Sequence, residues 1–84
     1  MPYIPEEERA EVIREGAGNS GQLNYLITVA VNDYLEAHGL KYATINDILG
    51  ALEGAKLEFY RRVAVPYEET KIAANGDVYA DPSA

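Results

Sequence analysis

Residues 56–71, KLEFYRRVAVPYEETK, hold the groups in this sequence that are best suited to bind an anion. The 84-residue chain has fourteen acidic and seven basic residues, and four of the basic ones lie in this stretch. Arginine offers a rigid fork of donors that fits phosphate or carboxylate, and tyrosine offers a flat face for a base together with a hydroxyl. The candidate ligand-binding residues, called the basic–aromatic cluster below, are Lys56, Tyr60, Arg61, Arg62, Tyr67 and Lys71. They predict a pocket for a small nucleotide-like anion where two chains meet.

A purely structural interpretation of the same stretch stays open at this point. Arg61, Arg62 and Lys71 can pair with the three glutamates of the stretch, and their charge complements the C-terminal end of a helix dipole. Lys56 lies close to the apolar side of the same predicted helix, where its amine either pairs with Glu53 one turn back or faces a ligand. The stretch is therefore either an anion site or a layer of salt bridges.

The net charge limits the classes of partner. The chain carries −7, and because residues 56–71 sum to +1, the other 68 residues carry −8. This balance repels long nucleic acids and anionic membranes, whereas a small anion can still bind locally. The N-terminal MPYIPEEERAE has no leader-like apolar run, and no stretch approaches the roughly 18–20 apolar residues of a membrane span. We therefore expect a cytoplasmic protein.

Patterns for catalysis and metal binding are sparse in this sequence. His38 is the only histidine and lies beside a predicted helix end, where an imidazolium favours the C-terminal dipole. No cysteine or second histidine completes a nucleophilic triad or a zinc site. Glu53 and Glu58 are separated by about 140° on a helix and do not share a metal-binding side. We predict no enzyme activity, no cofactor and no metal, with a hydrolase as the weakest alternative.

Two helical segments precede the basic–aromatic cluster. After Pro5, the segment EEERAEVIRE predicts a short helix whose first-turn glutamates complement the helix dipole, and GAGNSG ends it. The next segment, GQLNYLITVAVNDYLEAHG, has apolar residues at the three- and four-residue spacing of a buried helical stripe. These residues are Leu23, Leu26, Ile27, Ala30, Val31, Tyr34 and Leu35. Asn19 or Ser20 is expected to cap this second helix, and Gly39 to end it.

A third helix is expected to carry the first part of the cluster. Thr44 followed by Asp47 predicts its start, with Thr44 as the N-cap. The connection GLKYA is so short that the second and third helices should form an antiparallel hairpin. Pro66 cannot donate to the carbonyl of Arg62, so the third helix should kink or stop there before YEETKIAANG resumes as helix up to Gly76. Its apolar stripe is Ile45, Ile48, Leu49, Leu52, Ala55, Phe59 and Val63.

The side of the third helix opposite this stripe is called the glycine face below. At about 100° per residue its members are Gly50, Gly54, Leu57, Arg61 and Ala64. Glycine inside a soluble helix costs about 1 kcal/mol relative to alanine, so two glycines four residues apart indicate the close approach of another backbone. Either another segment of the same chain fills this face, or a second copy does.

Several short sequence words point to a family. GQLNYLIT, KLEFYRRV, PYEETK and NGDVY, with the opening MPYIP, resemble those of a family of short, functionally uncharacterised proteins from bacteria, archaea and phages. The similarity extends over nearly the whole chain and implies no established activity or catalytic residue. It implies a phage or mobile-element context, with a host-cytoplasmic location if phage-encoded. By loose analogy with small helical phage proteins that oligomerise and sequester nucleotide immune signals, it also implies nucleotide sequestration.

Together these features predict an all-α protein with one helical domain over residues 1–84. We expect an antiparallel hairpin of two long helices, a short N-terminal helix, a kinked C-terminal helical segment, and extended or flexible ends at residues 1–5 and 77–84. Because a lone core of this size is marginal, we expect a homo-oligomeric bundle. The first functional hypothesis is a non-enzymatic binding protein that holds a small anionic ligand between chains. The alternative is a homo-oligomeric interaction or scaffold protein that binds a protein partner and no small ligand.

Overall fold

The structure, a computed structural model, describes residues 4–80, and 82% of it is helical with no strand in that range. The helices of the described part are α1 (Glu6–Glu15), α2 (Ser20–His38), α3 (Tyr42–Phe59) and α4 (Val65–Asn75), and a π-helical turn, Tyr60–Ala64, joins α3 to α4. The predicted all-α fold, with a short N-terminal helix, two long helices and a kinked C-terminal segment, is confirmed. Predictions for residues 1–3 and 81–84 lie outside the described residues.

The first two helices begin where local chemistry favours a helix start. The extended Pro5 precedes α1, and its carbonyl accepts the amide of Glu8 at 3.0 Å. Asn19 caps α2, because its side-chain oxygen accepts the amide of Gln22 at 2.9 Å. Of the two predicted caps for α2, Asn19 is therefore the one that is used.

A short connection leads from α2 to α3. Gly39 has φ 86°, which suits glycine, and its amide donates to the carbonyl of Leu35 at 2.7 Å as α2 ends. Residues 39–41 separate the two helices, and the hydroxyl of Tyr34 on α2 donates to a carboxylate oxygen of Asp47 on α3 at 3.0 Å. A side-chain hydrogen bond thus joins the two helices beside the turn, and their antiparallel pairing remains a prediction.

The start of α3 differs from the prediction. The helix begins at Tyr42, and the amide of Ile45 already donates to the carbonyl of Lys41 at 3.0 Å. Thr44 lies inside the helix with only 1% of its surface exposed. The predicted Thr44 N-cap is wrong because the short connection lets the hydrogen-bond ladder start earlier, and burial draws the threonine away from the helix end.

Pro66 shapes the junction between α3 and α4. Its ring nitrogen carries no hydrogen and cannot donate to the carbonyl of Arg62. The amide of Val65 instead donates to the carbonyl of Tyr60, five residues back, which is the hydrogen bond of a π turn. The predicted kink therefore takes the form of a widened turn, after which α4 runs to Asn75.

The chain divides into two compact units, residues 1–48 and residues 49–84. In the described part of the first unit the buried residues are Ile4, Val12 and Thr44. In the described part of the second unit, residues 49–80, no residue is buried. The single domain over residues 1–84 remains a prediction.

The helix α2 is covered on one side only. The Arg9 guanidinium on α1 lies 6.0 Å from the centre of the Tyr25 ring, on the half-buried side of α2. Four members of the predicted buried stripe are exposed: Ala30, and Leu23, Ile27 and Tyr34 at 54%, 46% and 39%. Full burial of that stripe was a wrong prediction, because α2 has apolar residues on more than one side and α1 is too short to cover them all.

Candidate functional site

The basic–aromatic cluster lies entirely in the second unit. Its residues run from the end of α3 through the π turn into α4, and every one of them is exposed. The rings of Tyr60 and Tyr67 are each 61% exposed. The cluster is therefore accessible to a ligand or to another chain, but it is not enclosed within this unit.

Two cations of the cluster pair with glutamates of their own helix. The Lys56 amine lies 3.6 Å from a carboxylate oxygen of Glu53, and the Arg62 guanidinium lies 4.0 Å from one of Glu58. All four side chains are more than half exposed, so these pairs are screened by water and contribute little to stability. The salt-bridge interpretation is confirmed for these two cations.

The other two cations differ in their surroundings. The Lys71 amine lies 5.4 Å from the centre of the Tyr67 ring, in range of a cation–π contact one turn away on α4. Within residues 4–80, Arg61 neither pairs with a carboxylate nor lies over an aromatic ring. Its guanidinium fork is therefore open to a partner from outside the described chain.

The second unit contains two shallow grooves. One, of about 380 Å³, is lined by Ala55, Glu58, Phe59, Arg62 and Val63. The other, of about 350 Å³, is lined by Glu68, Lys71, Ile72, Asn75, Gly76, Asp77, Val78 and Tyr79. Arg62 reaches the first groove and Lys71 the second, so these two grooves do not gather the cluster into one pocket.

The glycine face of α3 is uncovered in the second unit. A Cβ atom added at Gly50 or at Gly54 would meet nothing within 4 Å outside the helix itself, and Leu57 is 55% exposed. Of the two interpretations left open by the sequence, filling by the same chain is not observed within residues 49–80 of this unit. The two glycines thus have no packing explanation within the described chain.

The apolar stripe on the other side of α3 is equally open. Leu49, Leu52, Phe59 and Val63 are 62%, 40%, 63% and 51% exposed. Isolated apolar residues on a protein surface are ordinary, but several at helical spacing form a continuous patch, and such patches mark interaction surfaces. Both sides of the helix therefore have the character of contact surfaces.

A polar group at the turn between α2 and α3 was missed from the sequence. The rings of Tyr34 and His38 stack with centroids 4.1 Å apart, and the Tyr34 hydroxyl donates to Asp47 at 3.0 Å. This hydrogen bond, partial desolvation and the charge of Asp47 raise the pKa of Tyr34 above its ordinary value. The four-residue spacing of Tyr34 and His38 on a helix predicts their contact. His38 is the last residue of α2, as expected.

No group of three or more histidine, cysteine, aspartate or glutamate side chains within residues 4–80 is placed to hold a metal ion. None of the helices described there has both the length and the apolar character needed to cross a membrane.

Comparison with known sequences identifies the family. Residues 1–78 match the family described as a domain of unknown function, DUF6899. The chain belongs to this family. The resemblance to a functionally uncharacterised family is thereby confirmed at the level of membership. None of the curated proteins and none of the solved structures compared with the chain matches it.

The DUF6899 match includes the main features described above. It spans the basic–aromatic cluster, the glycine face and the pair formed by Tyr34 and Asp47, and it ends at Val78. A domain of unknown function carries no assigned ligand or partner to this chain, so the surfaces of the chain are the evidence for its function.

Proposed function

We propose that this chain is a non-enzymatic, self-associating interaction protein in which α3 docks a second copy. The observation that supports this most directly is that no residue of the range 49–80 is buried, although the range contains Leu49, Leu52, Leu57 and Phe59. Apolar side chains at helical spacing gain free energy when another surface covers them. In self-association a second copy of the same chain supplies that surface.

The scale of the exposed surface supports the same proposal. Seventeen large apolar side chains of the described chain are more than a third exposed, whereas the buried apolar ones are Ile4 and Val12. The sequence has no cysteine and therefore no disulfide to compensate for so small a core. Small chains in this position commonly obtain the missing burial by oligomerisation. The opposite apolar side of α3 is then left for further copies or for a protein partner.

The test is the state of association of the purified chain by sedimentation velocity over a range of concentrations. We expect a defined oligomer that Leu57→Asp dissociates, since Leu57 is 55% exposed in the single chain and a charge there disturbs little else. The control is Val78→Asp, which places the same charge at a residue that is 95% exposed and follows the last helix. A wild-type monomer that unfolds cooperatively would overturn the proposal.

A second candidate function is the binding of a small nucleotide-like anion at an inter-chain site. Its support is the unpaired guanidinium of Arg61 in the same exposed segment as Tyr60 and Tyr67. A ring face can stack on a base, and an arginine fork can hold a phosphate. Arg62 and Lys71 are only weakly engaged by exposed neighbours and can turn to the same ligand.

Native mass spectrometry with a panel of linear and cyclic nucleotides tests this second candidate. We expect the oligomer to carry a defined bound mass that Arg62→Ala abolishes without changing the number of chains. Lys41→Ala is the matched control, because it removes a cation from outside the cluster. An oligomer that stays empty across the whole panel would contradict the anion-binding hypothesis and leave the interaction protein as the function.

The biological setting is also part of the proposal. The sequence words that led to the family resemble those of bacterial, archaeal and phage proteins, and this resemblance supports a phage or mobile-element origin. We accordingly place the assembly in the cytoplasm, which is the host cytoplasm for a phage-encoded chain. Fractionation of cells that express the tagged chain would test the location, and recovery in the envelope fraction would contradict it.

A further inference from the structure

Two opposite charges, Asp47 on α3 and Arg61 on the π turn, are equally far from Gly54 along the chain. Asp47 lies seven residues before it and Arg61 seven residues after it, and seven residues are about 700°, only about 20° short of two full turns. Both residues therefore fall on the glycine face, about 10 Å from Gly54 in opposite directions. Arg61 is only the second residue of the π turn, so the wider turn displaces it slightly. Along this face Asp47 lies at one end, glycine in the middle and Arg61 at the other end, where Glu58, about 40° from Gly54 on the wheel, pairs with Arg62.

This pattern is self-complementary in one orientation only. In a two-fold symmetric interface, when residue i contacts residue j of the partner, residue j contacts residue i in return. Two antiparallel α3 helices that cross at Gly54 place each acidic end beside a basic end, twice, whereas a parallel pair brings like charges together. We infer, on the basis of the self-association proposed above, that two copies pair antiparallel through Gly54 and that Asp47 of each copy binds Arg61 of the other.

The polar partners that this pairing requires are available. Within residues 4–80, Arg61 has no carboxylate partner, and Asp47 accepts a hydroxyl from Tyr34 but pairs with no cation. A carboxylate with one hydrogen bond retains further acceptor sites, and a guanidinium fork can fill them with two parallel bonds. The Tyr34 hydroxyl donates to one carboxylate oxygen of Asp47 at 3.0 Å, which leaves the other oxygen available for this contact.

The apolar part of the face also fits an antiparallel crossing. With Gly54 at the axis, Leu57 of one copy lies opposite Ala51 of the other, so a large side chain meets a small one on both sides. Gly50 and Gly54 have no neighbour within 4 Å of a Cβ position and allow the two backbones to approach closely. A second copy of this chain therefore fits the face both in its charges and in the sizes of its side chains.

Charge reversal tests the inferred pairing. Asp47→Arg and Arg61→Asp each place like charges in contact at two positions of a homodimer, and we expect each to raise the dimer Kd by about a hundredfold or more. A chain that carries both substitutions restores both contacts and should dimerise again. In an equimolar mixture of the two single variants both contacts are attractive, so native mass spectrometry should find the heterodimer in preference to either homodimer.

Tyr34→Phe is the control for Asp47→Arg, because it removes the same hydrogen bond within the chain and keeps the inter-chain charges. It should change the dimer Kd by less than the charge reversal does. If the wild type is a dimer that both charge reversals leave intact, the pairing through Asp47 and Arg61 is overturned while self-association stands. If the wild type is a monomer, the face serves a different partner, and both proposals are overturned.

Discussion

Gly54→Ala is expected to stabilise the dissociated chain and to weaken the dimer. In the single chain a Cβ atom at this position meets nothing within 4 Å. Alanine therefore has no steric cost there, and it removes the penalty of about 0.8–1.0 kcal/mol that glycine imposes on a helix interior. The dissociated chain should accordingly become more helical and more resistant to urea.

The same methyl group has the opposite effect if two α3 helices cross at Gly54. Each copy then adds one methyl at the point of closest approach, and overpacking of a tight contact costs about 1–3 kcal/mol. At 1.4 kcal/mol per tenfold change, the Kd of the dimer should rise by about five- to 150-fold. This single substitution thus separates the effect of helix propensity on the dissociated chain from the effect of helix contact on the Kd of the dimer.

Sedimentation equilibrium gives the Kd, and urea unfolding followed by circular dichroism gives the stability of the dissociated chain at low concentration. Thr28→Ala on α2 is the control, because its exposed side chain bonds only its own helix, at Asn24, and alanine improves the propensity without touching the glycine face. The control should leave the Kd unchanged. A Gly54→Ala chain that dimerises as tightly as the wild type, or more tightly, would refute the crossing at Gly54.

Three further predictions concern the helix junctions. Asn19→Ala removes the N-cap of α2 and should lower the free energy of unfolding by about 1 kcal/mol in urea titrations, with Asn19→Gly losing less. Asp47 raises the pKa of Tyr34 above 10.0, so the folded state gains stability from the neutral phenol below pH 10 and loses it as the pH rises through the raised value. Tyr34→Phe should remove this loss of stability at high pH, as measured by the urea midpoint against pH. Pro66→Ala restores an amide that can reach the carbonyl of Arg62, so an α-helical junction with a protected amide at residue 66 should appear in hydrogen exchange.

Local chemistry made part of this fold predictable. Asn19 caps α2 because a short polar side chain next to a free helix amide forms that bond in almost any context. Pro66 disturbs the ladder because its missing hydrogen is a property of the residue itself. Thr44 has the same capping chemistry as Asn19, but the short connection before α3 and the burial of its side chain decided otherwise. A helix boundary that depends on tertiary contacts cannot be predicted from the neighbouring residues alone.

The same distinction applies to the candidate site. The contact of Lys56 with Glu53 and that of Lys71 with Tyr67 follow from three- and four-residue spacing and were open to prediction. Periodicity also identified the apolar stripes, but it does not say which surface covers them. Leu23 and Ile27 lie on a regular stripe and are still 54% and 46% exposed. A sequence pattern predicts which side of a helix packs against another surface, but it does not identify that surface.

Arg61 has opposite roles in the two proposed functions. If Arg61 binds Asp47 of the partner, Arg61→Ala should weaken the dimer. Any anion is then bound by Arg62, Lys71 and the tyrosines. If Arg61 holds an anion, Arg61→Ala costs the ligand and leaves the number of chains unchanged. Arg61→Lys refines the choice, because lysine keeps the charge but loses the fork that makes two parallel bonds to a carboxylate. A lysine variant that retains the dimer with a weaker Kd would place the bidentate contact at the interface, where the symmetric spacing around Gly54 predicts it.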